Sequence, residues 1–218
     1  MTYSLHLLPT LLTQVNAVID DNAAAVTELD QAIGDGDHVI NLQRGLRALL
    51  QQSDELARLP DWQAAWQQIG MTLMSQVGGA SGALFATLFI TLSKAGRGQT
   101  LNLANFAAIY SQGVAAVKQR GKASAGEKTL LDVLIPVEQE LLSAAQLNLS
   151  QLELSGRLNE VALVGVESTR MMLATKGRAS FLGERSLGHL DAGAKTSQLM
   201  LSAILSVLNQ ASEQRTDG

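Results

Sequence analysis

Apolar residues recur three and four positions apart along almost the whole chain, and no segment alternates apolar with polar as a half-buried strand would. That periodicity restricts the fold to packed helices. It marks eight helical stretches, at residues 3–28, 38–53, 61–77, 81–95, 102–120, 128–146, 156–176 and 194–211. Turn-forming residues separate them, as in Leu59-Pro60-Asp61, Gly96-Arg97-Gly98 and Leu149-Ser150-Gln151. Aromatic residues make up only 4% while Ala and Leu abound, which suits closely packed helices better than a sheet. A chain of 218 residues, 46% hydrophobic and 17% charged, can bury one large core. It carries no repeat, linker or low-complexity tract. The expectation is a single all-α domain spanning residues 1–218.

Several function classes drop out. The net charge is −4 with a pI of about 5.4, and no basic stripe appears, so a nucleic-acid partner is not expected. The chain has no cysteine, which excludes disulfides, zinc–thiolate sites and thiol catalysis and fits a reducing compartment. The opening MTYSLHLLPTLLTQV lacks a basic lead and a small-residue cleavage site, so no signal peptide is read there. The richest apolar run, Ala83 to Leu92, is too short to cross a membrane. A cytoplasmic protein without a membrane partner is expected. Trp62 and Trp66, one turn apart, read as cover for a core edge. His6 reads as packed, and Met71, Met74, Met171, Met172 and Met200 as core filler.

The connections between helices are unequal. Those after the second, fourth and sixth stretches are short and ordinary. Those after the first, third, fifth and seventh read IGDGDH (33–38), VGGASG (77–82), RGKASAGEKT (120–129) and KGRASFLGERSLGHLDAGAKT (176–196). If short links make neighbouring helices antiparallel, these four unusual segments gather at one end of the bundle. A purely structural bundle has no reason to collect its glycines there.

Each segment has a chemistry. Asp30, Asp35 and Asp37, with no basic partner nearby in sequence, form the oxygen-rich set that a hard divalent cation such as Mg²⁺ takes. The plainer reading is that they are turn and cap residues for the next helix. An EF-hand fails, since counting from Asp35 puts Val39 at position 5 and Leu46 at position 12. VGGASG opens a helix with bare amide groups that a phosphate can approach, or it is simply a tight turn with Ser81 as cap. GKASAGEKT nearly spells a P-loop, but Glu127 intrudes before Lys128 and a helix precedes it, so that reading is rejected. Asp132 reads as first-turn dipole compensation. The last segment is long for a compact helical domain and supplies Lys176, Arg178, Arg185, His189 and Asp191; arginine there suits bidentate phosphate contact. Carboxylates for metal, helix starts for phosphate and arginine for charge are the parts of phosphoryl transfer.

In these four motifs, in order and at similar spacing, the chain resembles the L subunit of bacterial dihydroxyacetone kinases. IGDGDH, GMTLMSQVGGASG, RGKASAGEKTLLDVLIPV and KGRASFLGERSLGHLDAGA carry the likeness. The resemblance implies a closed barrel of eight antiparallel helices with a nucleotide at one rim. It implies Asp30, Asp35 and Asp37 as Mg²⁺ ligands, and His38, Val39, Ile40 and Asn41 lining the nucleotide site. Gly79, Ala80 and Ser81 would hold phosphates, Gly121 and Leu130 would flank base or ribose, and Arg178 with Asp191, Ala192 and Gly193 would close over the nucleotide. ADP or ATP would be the bound cofactor. A separate K subunit would carry the ketose, and a phosphohistidine-bearing M subunit would recharge the nucleotide. The resemblance also leaves open a regulatory module that signals to a transcription regulator, or a kinase component for another acceptor such as a fatty acid. The sequence departs from the pattern at Val39, where glycine is usual, and at Ala83 and Ala192, where proline is usual.

Overall fold

A computed structural model of the chain describes residues 4–216. Among the described residues the regular structure is helical throughout, with no strand. Ten α-helices follow in order: α1 (Leu8–Asp21), α2 (Ala23–Ile33), α3 (His38–Gln51), α4 (Ser53–Ala57), α5 (Trp62–Gln76), α6 (Gly79–Gly96), α7 (Leu103–Gly121), α8 (Leu131–Ala144), α9 (Gln151–Ser168) and α10 (Ala192–Thr216). Among the described residues no helix is long and apolar enough to cross a membrane.

The expected boundaries need four corrections, the first being that the stretch read over 156–176 ends as an α-helix at Ser168, with one 3-10 turn to Met171 after it. The stretch read as one helix over 3–28 is two, because Asn22 leaves helical geometry at φ −101° and ψ 7° and turns its side-chain amide back onto the Val18 carbonyl. The short α4 occupies what was read as a plain link. And α9 begins at Gln151 rather than 156, because Ser150 and Glu153 form a reciprocal capping box across its first turn.

Local chemistry explains the other helix starts. Asp61 accepts the Ala64 N–H at 2.7 Å to open α5, and Asn102 accepts the Asn105 N–H at 2.9 Å to open α7. Within α8, Pro136 has no N–H to give the Asp132 carbonyl one turn back. The α9 backbone uses the space beside that carbonyl: a Cβ on Gly165 would lie 2.3 Å from Asp132 O, so this crossing admits only glycine.

The long helices pack in sequence. α1 lies on α3, α3 on α5, α5 on α6, α6 on α7, α7 on α8, α8 on α9, α9 on α10, and α10 returns to α1. Alanines with no exposed surface, Ala65, Ala86, Ala107, Ala144, Ala162 and Ala194, let the helices approach closely. One apolar cluster, with Ile19, Leu42, Leu49, Val114 and Val117, fills the α1–α7 side; a second, with Val133, Val137 and Leu158, fills the α8–α10 side. Phe106 and Tyr110 pack against both, and Trp66 stacks at 6.2 Å from Phe106. Each fully buried Leu or Val contributes roughly 1.5–3 kcal/mol. Trp66 is buried, as expected of a core edge, but His6, Met71, Met74 and Met171 are exposed and fill no core.

Antiparallel packing sorts the connections. At one end Gln63, at the start of α5, donates to Gly96 O at 2.8 Å and Gln99 O at 3.3 Å beyond α6. The opposite end receives the four unusual segments.

Candidate functional site

Asp30 stands in the last turn of α2, and Gly34 follows as its C-cap. The chain folds back so tightly that a Cβ on Gly34 would lie 2.1 Å from Asp30 Oδ1; any other residue would evict the carboxylate. Asp30 Oδ2 then accepts the His38 N–H at 3.1 Å, capping α3 from outside. Asp37 occupies the N-cap position itself but makes no capping bond, so its carboxylate is left for other use. Ligand oxygens of Asp30, Asp35 and Asp37 all come within 4.8 Å of one another.

The basic partner that the neighbouring sequence lacks comes from a distant segment. Arg178, from the long segment after α9, places Nε 2.6 Å from Asp35 Oδ2. Sequence reading brought the two segments to the same end of the bundle but gave no sign of this direct ion pair.

His38 ties three helix starts together. Its Nδ1 lies 3.0 Å from Ser81 Oγ in the first turn of α6, and its Nε2 lies 2.9 Å from Thr196 Oγ1 in the first turns of α10. Thr196 directs its own proton to Gly193 O at 3.1 Å. Thr196 therefore accepts the Nε2–H, and Nδ1 accepts the Ser81 proton. Burial holds the imidazole below its ordinary pKa, against the pull of Asp30 and Asp37. Thr196 was not expected as a site residue; a threonine inside a helical stretch gives no local signal.

α6 opens without a side-chain cap. Gly79 has φ +69° and nothing within 4 Å of where a Cβ would stand, and Ala80 is exposed. No side chain caps the first amides of α6, which lie at the positive end of the helix dipole, and Ser81 ties this helix start to His38, the residue after Asp37.

The 120s segment works as a clamp. Asp132, buried and in the first turn of α8, accepts the Gly126 N–H and the Thr129 N–H at 2.7 Å, so it shapes the loop as well as compensating the dipole. Glu127 accepts from Thr175 Oγ1 at 2.7 Å and from the Ser124 N–H at 2.6 Å, and pairs with Lys176 at 3.3 Å; the Thr175 bond foremost holds its carboxyl below the usual range. Lys128 points the other way and is 2% exposed. Its Nζ donates to Thr169 O at 2.6 Å and to His189 O, and burial lowers its pKa. Neighbouring residues thereby grip both stems of the Arg178 segment. The intruding acid–base pair that spoiled a P-loop reading is the grip itself.

Asp191 accepts the Ala194 N–H at 2.7 Å to open α10, and its own N–H donates to Thr169 Oγ1 at 3.0 Å. Burial pushes its carboxyl up to about 7; the Ala194 N–H and Lys128 pull it down, while Asp132 and Asp30 push it further up. A Cβ on Gly193 would lie 3.6 Å from Leu130 Cβ, so the segments expected to flank and to close the site meet. Val39 is buried in the core and offers only its backbone, as do the buried Leu130 and Ala192. Asn41 is buried and accepts from Arg44. Ile40 is exposed on the flank of α3, beside Gln43 and Arg44. Gly121 closes α7 against Leu84.

A family model described as the DAK2 domain matches residues 32–206. The chain is 41% identical over 207 residues to PEP-dependent dihydroxyacetone kinase 1, ADP-binding subunit DhaL, of Listeria innocua, covering 94% of this chain and 98% of that protein. It is 38% identical over 194 residues to the corresponding ADP-binding subunit of Escherichia coli, covering 88% and 92%. It is 34% identical over 200 residues to L-erythrulose kinase of Pectobacterium atrosepticum, covering 89% of this chain and 34% of that one. Among solved structures, the dihydroxyacetone kinase of C. freundii in complex with AMP-PNP and Mg²⁺ shares the fold, with a TM-score of 0.73 at 22% identity over 94% of this chain and 34% of that chain.

Proposed function

The chain belongs to the DAK2-domain family of dihydroxyacetone kinase ADP-binding subunits, and from that premise we propose that it holds ADP or ATP with Mg²⁺ and relays the terminal phosphoryl group to a short ketose carried by a separate K subunit. A phosphohistidine-bearing M subunit is the donor that recharges the bound ADP. The likeness to relatives named PEP-dependent supports that donor. The likeness to an L-erythrulose kinase supports a ketose of three or four carbons as acceptor.

The observation that carries the reading is the meeting of three carboxylates with an uncapped helix start. Asp30, Asp35 and Asp37 offer only hard oxygen donors, which fit Mg²⁺ shared with phosphate oxygens. When bound there, Mg²⁺ supplies charge neutralisation at the phosphates. The amides of Gly79, Ala80 and Ser81 bind phosphate oxygens along the α6 dipole. His38 keeps the α3, α6 and α10 starts in fixed relation, so these donors need no rearrangement during transfer. Arg178, exposed and paired with Asp35, supplies a positive charge for the transferring group. Gly121, Leu130 and the Asp191–Gly193 turn hold the nucleoside. No residue of this chain takes a covalent role; the chain positions and neutralises.

Isothermal titration with ADP, with and without Mg²⁺, tests the reading. One site per chain, dependent on Mg²⁺, is expected; heat-silent mixing in both cases would defeat it.

A further inference from the structure

The ion pair between Arg178 and Asp35 sets a rule for what the site accepts. We infer that Arg178 is a specificity-determining residue that makes the carboxylate triad select a metal–nucleotide complex over the free divalent cation. The inference rests on the metal and nucleotide reading above and deepens it.

Three observations carry it. First, the guanidinium Nε is 2.6 Å from Asp35 Oδ2, one of the three carboxylates whose oxygens converge within 4.8 Å. A guanidinium and a divalent cation repel, and they compete for that carboxylate's charge. A bare cation entering the triad must therefore displace Arg178 and gets nothing in return. Second, the Arg178 side chain is 71% exposed, so its ion pair is weakened by water and readily exchanged. Third, Arg178 cannot drift far. Glu127 fixes Thr175 and Lys176 on one side, and Lys128 fixes the His189 carbonyl on the other. Lys176 is engaged with Glu127, while Arg178 is the cation of the tethered segment seen paired with the triad.

When the cation arrives on a polyphosphate, the balance reverses. The displaced guanidinium finds phosphate oxygens beside the triad, and its planar fork binds them with two parallel N–H bonds. The same side chain thus opposes the metal alone and favours the metal with its nucleotide. A tethered arginine that exchanges one anion for another couples the two ligands without any shift of the helices.

The test compares the wild-type chain with Arg178→Gln and Arg178→Lys, using Mn²⁺ alone, followed by electron paramagnetic resonance, and Mg²⁺·ADP, followed by calorimetry. Arg178→Gln is expected to bind Mn²⁺ alone about two- to fivefold more tightly, the span of an exposed ion pair. It is expected to bind Mg²⁺·ADP roughly ten- to a hundredfold more weakly, the span of a lost charge-assisted bond. Arg178→Lys should fall between in both. Opposite signs in the two titrations are the signature, since a merely structural loss would weaken both. Equal or weaker Mn²⁺ binding by Arg178→Gln overturns this inference alone. A wild-type chain that binds neither Mn²⁺ nor Mg²⁺·ADP overturns the inference together with the reading it rests on.

Discussion

His38 and Thr196, 158 residues apart in sequence, meet at 2.9 Å through Nε2 and Oγ1. Because His38 also reaches Ser81, this contact makes three helix starts one rigid unit at the end where the glycine-rich segments gather. Thr196→Val keeps the side-chain shape and leaves the Nε2–H unpaired. It should cost about 1–2 kcal/mol of stability and weaken Mg²⁺·ADP binding. Urea unfolding and calorimetry measure the two effects, and unchanged values in both would show that the contact positions nothing.

Asp35 touches Arg178 and contributes nothing to the core. Asp35→Asn should therefore abolish Mg²⁺-dependent phosphoryl transfer while stability shifts by less than about 0.5 kcal/mol, as for an exposed substitution. Activity near that of the wild type, assayed with the K subunit and a short ketose, would remove Asp35 from the ligand set.

Lys128 is almost wholly buried and satisfies two backbone carbonyls. Lys128→Met fills the space but strands both acceptors, at a cost of about 2–4 kcal/mol. Denaturant midpoints at constant m-value will report it. A loss under about 0.5 kcal/mol would mean that water replaces the ammonium without consequence.

Asp191 gives a pH dependence of definite sign. Its carboxyl titrates near 7 in the folded chain and near the ordinary 3.8 once unfolded. Between those values the folded state binds the extra proton, so this group stabilises the fold as pH falls from about 8 towards 5. His38 acts oppositely. Its folded pKa lies below 6.5, so its contribution is present above about 6.5 and is lost on acidification. Comparing wild type with Asp191→Asn isolates the first effect: on going from pH 8 to 5.5 the wild type should gain about 1–2 kcal/mol relative to the variant. A difference that stays constant with pH would mean that Asp191 is ionised throughout.

Much of this was legible from residue order. Helical spacing located the long helices, and the inequality of the connections placed the four glycine-rich segments at one end. The errors have local causes. Asn22 breaks a helix through its own side chain, and the Ser150–Glu153 cap lay inside what reads as a plain turn. Charged and hydroxyl partners contributed by distant segments left no trace in spacing. Arg178 on Asp35, Lys128 under His189 and Thr196 on His38 are all products of packing. The aspartates were visible because they lie close together in sequence, and Arg178 and His38 were visible as site residues; their direct contacts to Asp35, Asp30 and Thr196 were not.

The central claim is that the Asp30, Asp35 and Asp37 carboxylates hold a divalent cation shared with a nucleotide's phosphates. A crystal structure of the chain with Mn²⁺ and ADP, with anomalous scattering recorded for manganese, tests it most directly. The account predicts one anomalous peak bonded to a carboxylate oxygen of each aspartate, the phosphates seated on the start of α6 and Arg178 released from Asp35. A manganese peak elsewhere, or ADP bound with the Arg178–Asp35 pair intact and no metal between the aspartates, would contradict it.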